Sequence, residues 1–192
     1  MKLIGITGGI GSGKSIICNV FESLNVPVFY ADTEAKKLYT DTSVRDQLIN
    51  WYGESIIFEG SIDLKKLASI VFTDKSQLIR LNHFIHPLVG KLFLKWTKQY
   101  TNRPYLIEEA ALLIESNTYK MLDKTILVYA PLEMRIQRVM NRDRVTREAV
   151  LLRVANQMDD EEKKKLVDAI IFNDEKQLVL PQILELHKQL SQ

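Results

Sequence analysis

The amino-acid sequence predicts an α/β fold of three layers, with a parallel sheet covered by helices on both faces. Short, almost uninterrupted apolar segments alternate with segments of helical periodicity. Strands that are buried on both faces of a sheet have this apolar character. Between Tyr52 and Arg103 the pattern is helical without a clear strand, so this part is predicted to be an insertion onto the sheet core.

Five apolar segments are the strand candidates, and in chain order they are Leu3–Ile6, Val26–Ala31, Tyr105–Ile107, Ile126–Tyr129 and Ala169–Phe172. Helical spacing predicts helices at Ile16–Leu24, Glu34–Thr40, Val44–Tyr52, Leu64–Phe72, Leu132–Arg142 and Arg147–Met158, with a last one from Leu180 to the end. Asp63 and Thr146 stand where helix N-caps are expected. Pro87 is predicted to interrupt a helix that starts at Lys75 and to separate it from a helix over Leu88–Gln99.

The composition fits one soluble domain. The chain has 192 residues, of which 46% are hydrophobic and 26% are charged, as is usual for globular proteins. The net charge of +2 is too small to indicate a nucleic acid or an acidic membrane as partner. A single cysteine, Cys18, cannot form an internal disulfide, and no segment approaches the ~20 apolar residues of a membrane span. The cytoplasm is the expected location, and protein partners stay undefined.

A phosphate-binding loop is the strongest motif. Residues 8–15 have the sequence GGIGSGKS, which matches G-x-x-x-x-G-K-[ST] between an apolar strand and a helix. Glycines let the backbone turn its N–H groups toward phosphate oxygens, the lysine reaches the β- and γ-phosphates, and the serine hydroxyl binds Mg²⁺. The predicted nucleotide contacts are therefore Gly9, Gly11, Ser12, Gly13, Lys14, Ser15 and the backbone of Ile16, with Ser15 as the metal ligand. GTPases, motor ATPases and small-molecule kinases all share this loop.

Carboxylates at the predicted strand ends are candidates for the chemistry. Ligands bind at the carboxyl ends of the strands in such sheets. Asp32 follows the second strand and could accept a proton from an attacking hydroxyl, or it could only cap the next helix. Glu108 and Glu109 end the third strand and should point to opposite faces. One of them could orient the acceptor or a metal-bound water, and the alternative is a solvated strand end.

An arginine-rich segment is a candidate lid. Arg135, Arg138 and Arg142 are spaced i, i+3 and i+7 on one helical face. Arginine suits phosphate oxygens, and small kinases close arginine-bearing lids over the triphosphate. The alternative is a solvated basic face that pairs with Glu133 and Glu148.

In their order and spacing these features resemble the bacterial dephospho-CoA kinase family over essentially the whole chain. The similar segments are Ile6–Ser15, Ala31-Asp32, Leu81–Leu88 with its His86-Pro87 pair, Glu109–Glu115, Arg138–Asp143, Asn156-Gln157 and Ala169–Asn173. The chain departs from the family pattern at three positions, which are Glu109 where aspartate is usual, Ala111 where proline is usual and Ile16 where threonine is usual.

The resemblance implies an ATP- and Mg²⁺-dependent kinase that phosphorylates the ribose 3′-hydroxyl of dephospho-CoA, the last step of coenzyme A biosynthesis. It implies one domain of the P-loop NTPase fold, with a core over about 1–50, 104–135 and 165–192, a helical acceptor region over about 60–100 and a lid over about 138–160. The catalytic residues that it implies are Lys14, Asp32 and Arg142. The further nucleotide contacts are Arg138 and Asn173, and the acceptor contacts are Asp32, His86, Glu109 and Leu112.

Two other classes of protein fit parts of the sequence. A nucleoside or nucleotide monophosphate kinase would share the core and the lid but would recognise a base in place of the pantetheine arm. A GTPase-like switch protein would need an Asn-Lys-x-Asp signature at a strand end. The nearest segment, Asn173-Asp174-Glu175-Lys176, does not have that pattern.

Overall fold

The computed structural model describes all residues, 1–192, and has seven strands and nine α-helices. In chain order they are β1 (Lys2–Thr7), α1 (Lys14–Ser23), β2 (Val28–Tyr30), α2 (Ala31–Leu38), α3 (Thr42–Tyr52), β3 (Ile57–Phe58), β4 (Ser61–Ile62), α4 (Leu64–Thr73), α5 (Lys75–Thr97), β5 (Tyr105–Glu109), β6 (Lys124–Tyr129), α6 (Leu132–Asp143), α7 (Arg147–Val154), α8 (Asp160–Lys164), β7 (Ala169–Phe172) and α9 (Val179–Leu190). None of these helices combines the length and the apolar character that crossing a bilayer requires.

The main sheet has five strands in the order β2-β5-β1-β6-β7, and every neighbouring pair is parallel. Ile4 of β1 aligns with Ile107 of β5, and Ile6 of β1 aligns with Ile126 of β6. Parallel strands bring their carboxyl ends to one edge of the sheet, and ligands bind at that edge in open α/β sheets. The prediction of an α/β fold with a parallel sheet covered by helices is confirmed.

The chain forms two compact units. The first comprises Met1–Tyr30 and Lys95–Gln192 and contains the five-stranded sheet. Its core is formed by isoleucine and valine side chains of the strands together with α1 and α9; fully or almost fully buried members are Ile4, Ile6, Ile17, Phe21, Ile107, Ile126, Val128, Ile171 and Ile183. Apolar burial of this kind is the main stabilising term in folding.

The second unit, Ala31–Leu94, is mainly helical and also contains the β3–β4 hairpin. Its helices have buried apolar residues at intervals of three and four, such as Val44 and Leu48 of α3 and Leu67 and Val71 of α4. Asp63 accepts hydrogen bonds from the N–H groups of Lys65 and Lys66, which confirms it as the N-cap of α4.

Three local predictions were wrong. The α5 helix continues through Pro87, because burial of Ile85 and Val89 on either side outweighs the backbone hydrogen bond that proline cannot make. A two-residue hairpin, β3–β4, lies where no strand was predicted, since strands this short have no detectable periodicity. The helix that starts after its Thr146 cap ends at Val154 rather than at Met158, and a separate helix, α8, follows with Asp159 as its N-cap.

Strand and helix limits also differ near β2. The second strand ends at Tyr30, and Ala31 already belongs to α2. Glu108 and Glu109 are the last two residues of β5, which confirms that they end this strand. Pairing with β1 and β2 on both sides gives these glutamates extended geometry that propensity alone would not predict.

Candidate active site

The phosphate loop connects β1 to α1 at the carboxyl edge of the sheet. Gly11 and Gly13 have φ angles of 81° and 95°, a region that residues with a Cβ rarely adopt. The N–H groups of Gly11, Gly13 and Ser15 make no hydrogen bond within the protein, whereas that of Ser12 donates to the Gly9 carbonyl at 3.0 Å. The loop therefore offers unpaired backbone donors in front of the positive end of α1, as an anion site requires.

Lys14, the first residue of α1, lies inside this loop. Its Nζ donates a hydrogen bond to the Gly8 carbonyl at 2.9 Å and lies 3.9 Å from Oε1 of Glu109 on β5. Both side chains are buried, with 10% and 7% of their surfaces exposed. Glu109 thus contacts the phosphate-loop lysine rather than forming a solvated strand end. Beside them, burial and the negative charge of Glu109 raise the pKa of the Cys18 thiol, which keeps Cys18 protonated.

Asn173 connects the loop to the end of β7. Its Nδ2 donates to the Ser12 carbonyl at 2.8 Å, and its own carbonyl accepts hydrogen bonds from both terminal nitrogens of Arg138, at 3.2 and 3.3 Å. Arg138 also pairs with Glu175 at 3.1 Å. Two residues that the sequence assigned to nucleotide contacts, Arg138 and Asn173, therefore lie together beside the loop.

Arg142 is on the last turn of α6, and 63% of its side chain is exposed. Its guanidinium forms a two-pronged contact with Asp143, through Nε at 2.7 Å and Nη2 at 3.2 Å. Asp143 also accepts a hydrogen bond from Arg153 of α7 at 2.9 Å. These hydrogen bonds hold the pKa of the Asp143 carboxyl below its usual range, so two lid arginines share one ionised carboxylate.

Two other arginines of this segment, Arg147 and Arg135, differ in their exposure to solvent. Arg147 pairs with Glu133 at 2.7 Å on the surface, which fits a solvated face. Arg135, on the same predicted face as Arg138 and Arg142, is instead buried against the phosphate loop, so the interpretation as a solvated face is wrong for it. The spacing of residues along a helix determines the direction in which their side chains point, whereas the burial of those side chains depends on which other segments pack against that face.

Asp32 and His86 both belong to the helical unit. Asp32 is an exposed residue in the first turn of α2, and its side chain makes no hydrogen bond, so it does not act as a cap. Burial lowers the pKa of the half-buried His86, and the negative charge of Asp32 acts in the opposite direction. The two predicted acceptor contacts are therefore close enough to interact electrostatically.

The remaining predicted site residues occupy less distinctive positions. Ser15 and Ile16 are exposed on the first turn of α1, and 69% of the Ile16 side chain is accessible. Leu112 is half-buried in the turn that follows β5. One contact was missed from the sequence: Gln157 accepts a hydrogen bond from the Ile10 N–H at 2.8 Å. The resemblance to the family includes Asn156-Gln157 but gave Gln157 no role, and no local pattern indicates this contact because it is long-range.

The residues present fit a nucleoside triphosphate. In addition to the unpaired N–H groups of the loop, the buried hydroxyl of Ser12 has no hydrogen-bond partner. A side chain at Gly13 would overlap with the Asn173 amide, so the cradle admits only a bare backbone. Together with the parallel sheet and the arginines of α6, this loop defines a P-loop kinase.

Comparison with known proteins then specifies the kinase. A sequence profile of dephospho-CoA kinases matches residues 2–178. A Bacteroides fragilis dephospho-CoA kinase is 39% identical over 184 residues, which cover 95% of this chain and 90% of that protein. The chain belongs to the dephospho-CoA kinase family and is a phosphotransferase with an alcohol group as acceptor.

Comparison with solved structures supports the same family assignment. A crystal structure from Thermus thermophilus superposes with a TM-score of 0.84 at 34% identity and covers 98% of this chain and 95% of that one. A dephospho-CoA kinase from Campylobacter jejuni gives a TM-score of 0.69 at 28% identity, with 98% and 96% of the two chains covered.

Proposed function

We propose that the protein transfers the γ-phosphoryl group of ATP to the ribose 3′-hydroxyl of dephospho-CoA and so produces CoA and ADP, the last step of coenzyme A biosynthesis. The 3′-oxygen forms a bond to the γ-phosphorus, and the bond from that phosphorus to the β,γ-bridging oxygen breaks. The hydroxyl proton passes to a carboxylate of the protein. The observation that supports this proposal most directly is the phosphate loop, whose unpaired N–H groups surround the space beside Lys14.

The nucleotide side of the reaction uses residues of the sheet unit. The N–H groups of Gly11, Gly13 and Ser15 bind phosphate oxygens, and Lys14 stabilises the negative charge that develops during transfer. Lys14 has to exchange its contact with the Gly8 carbonyl for the phosphates, while Glu109 stays nearby as its counterion. Arg138 and Asn173 form the adjoining wall of the nucleotide site.

Magnesium is the proposed metal. When bound, it neutralises charge on the β- and γ-phosphate oxygens, and Ser15, exposed on the first turn of α1, is the residue that would hold it.

Asp32 is the proposed proton acceptor and positioning group for the 3′-hydroxyl. It follows β2 directly in sequence, its carboxylate is exposed, and it has no hydrogen-bond partner that would compete with an acceptor. Proton acceptance and alignment of this kind are typically worth roughly 10²–10⁴ in rate. His86 is proposed to hold the acceptor beside it, with Leu112 and Glu109 as further contacts.

Arg142 is the proposed lid group that stabilises the transferring phosphoryl group. Because its side chain is exposed, Arg142 can move away from Asp143. Arg153 then remains as a hydrogen-bond partner of the Asp143 carboxylate. A planar guanidinium binds two phosphate oxygens at once, which suits a charge spread over several oxygens.

An acceptor panel tests this function. The protein is incubated with ATP and Mg²⁺ and, in separate reactions, with dephospho-CoA, pantothenate, adenosine and nucleoside monophosphates; products are identified by mass spectrometry. We expect dephospho-CoA to be the preferred acceptor and a 3′-nucleotidase to return the product to dephospho-CoA. Lys14→Ala serves as the inactive control. Preferred transfer to a nucleoside monophosphate would refute the acceptor assignment and favour the other kinase class.

A further inference from the structure

A chain of four charged side chains, three of them buried, extends from the phosphate loop. Its members are Arg135 of α6, Asp160 and Lys163 of α8, and Glu115 in the turn after β5. Arg135, Asp160 and Lys163 have relative exposures of 7%, 6% and 0%. Desolvating charges is costly, and a buried ion pair adds little stability over apolar residues of similar volume. Stability alone therefore does not account for charges at this place.

Arg135 is fixed by three contacts of different kinds. Its Nε donates a hydrogen bond to the Ala130 carbonyl at 3.1 Å, and its Nη2 forms an ion pair with Oδ2 of Asp160 at 3.1 Å. Its third nitrogen, Nη1, lies against the phosphate loop so closely that a Cβ at Gly9 would overlap with it. The guanidinium is thus held from two sides and presents its remaining edge to the loop.

The contact continues along the outer turn of the loop. A Cβ at Gly11 would overlap with the backbone carbonyl of Arg135 and would lie 2.9 Å from Cγ2 of Val139. Gln157 accepts the Ile10 N–H at 2.8 Å from the other direction. The segment Gly9–Gly11 therefore rests on the first turn of α6 and on the connection between α7 and α8.

Charged residues near Asp160 fix the position of the helix that carries it. Lys163, one turn later in α8, forms an ion pair with Glu115 at 2.9 Å, and Glu115 also accepts the Met158 N–H at 2.8 Å. Burial raises the pKa of the Asp160 carboxyl, while the positive charges of Arg135 and Lys163 oppose that effect. Glu115 and Lys163 thereby anchor the short helix that carries Asp160.

We propose that Arg135 is a positioning residue for ATP binding, which acts by holding the Gly9–Gly11 turn of the phosphate loop, and that Asp160 acts through Arg135. The proposal rests on the proposed function only in that ATP is the phosphoryl donor. Neither side chain needs to touch substrate. A shift of about 1 Å in donors that are aimed at phosphates is enough to weaken binding and transfer strongly.

The test compares Arg135→Gln, Asp160→Asn, the double variant and Arg103→Gln. Arg103 is a matched control, because it donates a hydrogen bond to Asn25 at 3.0 Å, just before β5, at the opposite edge of the sheet. Binding of a non-hydrolysable ATP analogue with Mg²⁺ is measured by calorimetry without acceptor, so the result does not depend on which acceptor is used. Urea unfolding establishes that each variant is folded at the assay temperature.

We expect Arg135→Gln to weaken binding of the analogue by about 10-fold, to raise the KM for ATP and to leave the KM for dephospho-CoA unchanged. Asp160→Asn should weaken binding less, and the double variant should bind as Arg135→Gln does, because Asp160 has no route to the loop once Arg135 is gone. Arg135→Lys should restore binding only in part, since an ammonium cannot make all three contacts. If Arg135→Gln does not fold, Arg135→Lys replaces it in the same comparison.

Three results would overturn the proposal. Binding by folded Arg135→Gln within twofold of wild type would make Arg135 a structural residue only. An equal additional loss from Asp160→Asn in the wild-type and Arg135→Gln backgrounds would show that Asp160 acts independently. Equal weakening by Arg103→Gln would show that losing any structural arginine of the unit has this effect.

Discussion

Glu108 is a buried carboxyl group that should make the stability of the protein depend on pH. Only 6% of its surface is exposed. It aligns with Gly5 and Phe29 on the neighbouring strands, so Phe29 lies on the same face of the sheet, packed against Trp96 with ring centroids 5.5 Å apart. No side chain of the protein donates a hydrogen bond to it. Burial accordingly raises the pKa of Glu108 from 4.5 to about 7.

The sign and size of the effect follow from this difference. A carboxyl whose pKa is higher in the folded state binds its proton more tightly there, so stability falls as the pH rises from the unfolded pKa to the folded one. At about 1.4 kcal/mol per pH unit, the interval between 4.5 and about 7 corresponds to about 3.5 kcal/mol as an upper bound. Glu108→Gln keeps the shape and removes the titration.

The assay is urea unfolding of wild type and Glu108→Gln at a series of pH values between 5 and 8.5, followed by fluorescence of the two tryptophans. We expect the unfolding free energy of wild type to fall relative to that of the variant as the pH rises, and the difference to level off about one pH unit above the folded pKa, at roughly pH 8. Glu185→Gln, on the exposed part of α9, is the matched control and should show no such trend. A difference between wild type and Glu108→Gln that stays constant over this range would refute the reasoning.

Three substitutions test the assigned roles. Lys14→Ala should lower kcat by at least roughly 10²-fold with an unchanged fold, because the lysine charge acts on the transition state; near-normal turnover would contradict this. Asp32→Asn should lower kcat by roughly 10²–10⁴-fold and leave ATP affinity and Tm almost unchanged; turnover within a few-fold of wild type would remove its role as base. Arg142→Ala should lower kcat more than it raises the acceptor KM, with partial rescue by lysine; wild-type kinetics in both variants would leave Arg142 as a surface residue.

The sequence predicted the sheet and the loop well because both depend on local patterns. Each strand of the sheet is a short apolar run, and the glycines of the loop match a fixed motif between a strand and a helix. The neighbours of the loop were predictable only in part. Resemblance to the family indicated Asn173, whereas the contacts of Arg135 and Gln157 join residues far apart in the chain and leave no periodic signal.

Burial decided the cases in which position alone left two interpretations. Glu109 could have been a solvated strand end, but it lies 3.9 Å from Lys14 with 7% of its side chain exposed. Asp32 could have been a helix cap, but it lies within the first turn of α2 and makes no side-chain hydrogen bond. Composition and spacing do not contain this information, because the exposure of a residue depends on which segments fold over it.

Three arginines on one face of α6 differ in their exposure and in the groups that they contact. Arg135, Arg138 and Arg142 point in similar directions but lie at increasing distance from the start of the helix, and their exposure increases in the same order. Each guanidinium contacts a different oxygen group of the protein. Arg135 contacts the Asp160 carboxylate, Arg138 the Asn173 carbonyl and Arg142 the Asp143 carboxylate. The buried Arg135 has lost its hydration and lies fixed against the phosphate loop, whereas the exposed Arg142 can exchange its carboxylate partner for another anion at small cost in solvation. This gradient of burial along one helix fits the two roles proposed above, positioning of the nucleotide by Arg135 and stabilisation of the transferred phosphoryl group by Arg142.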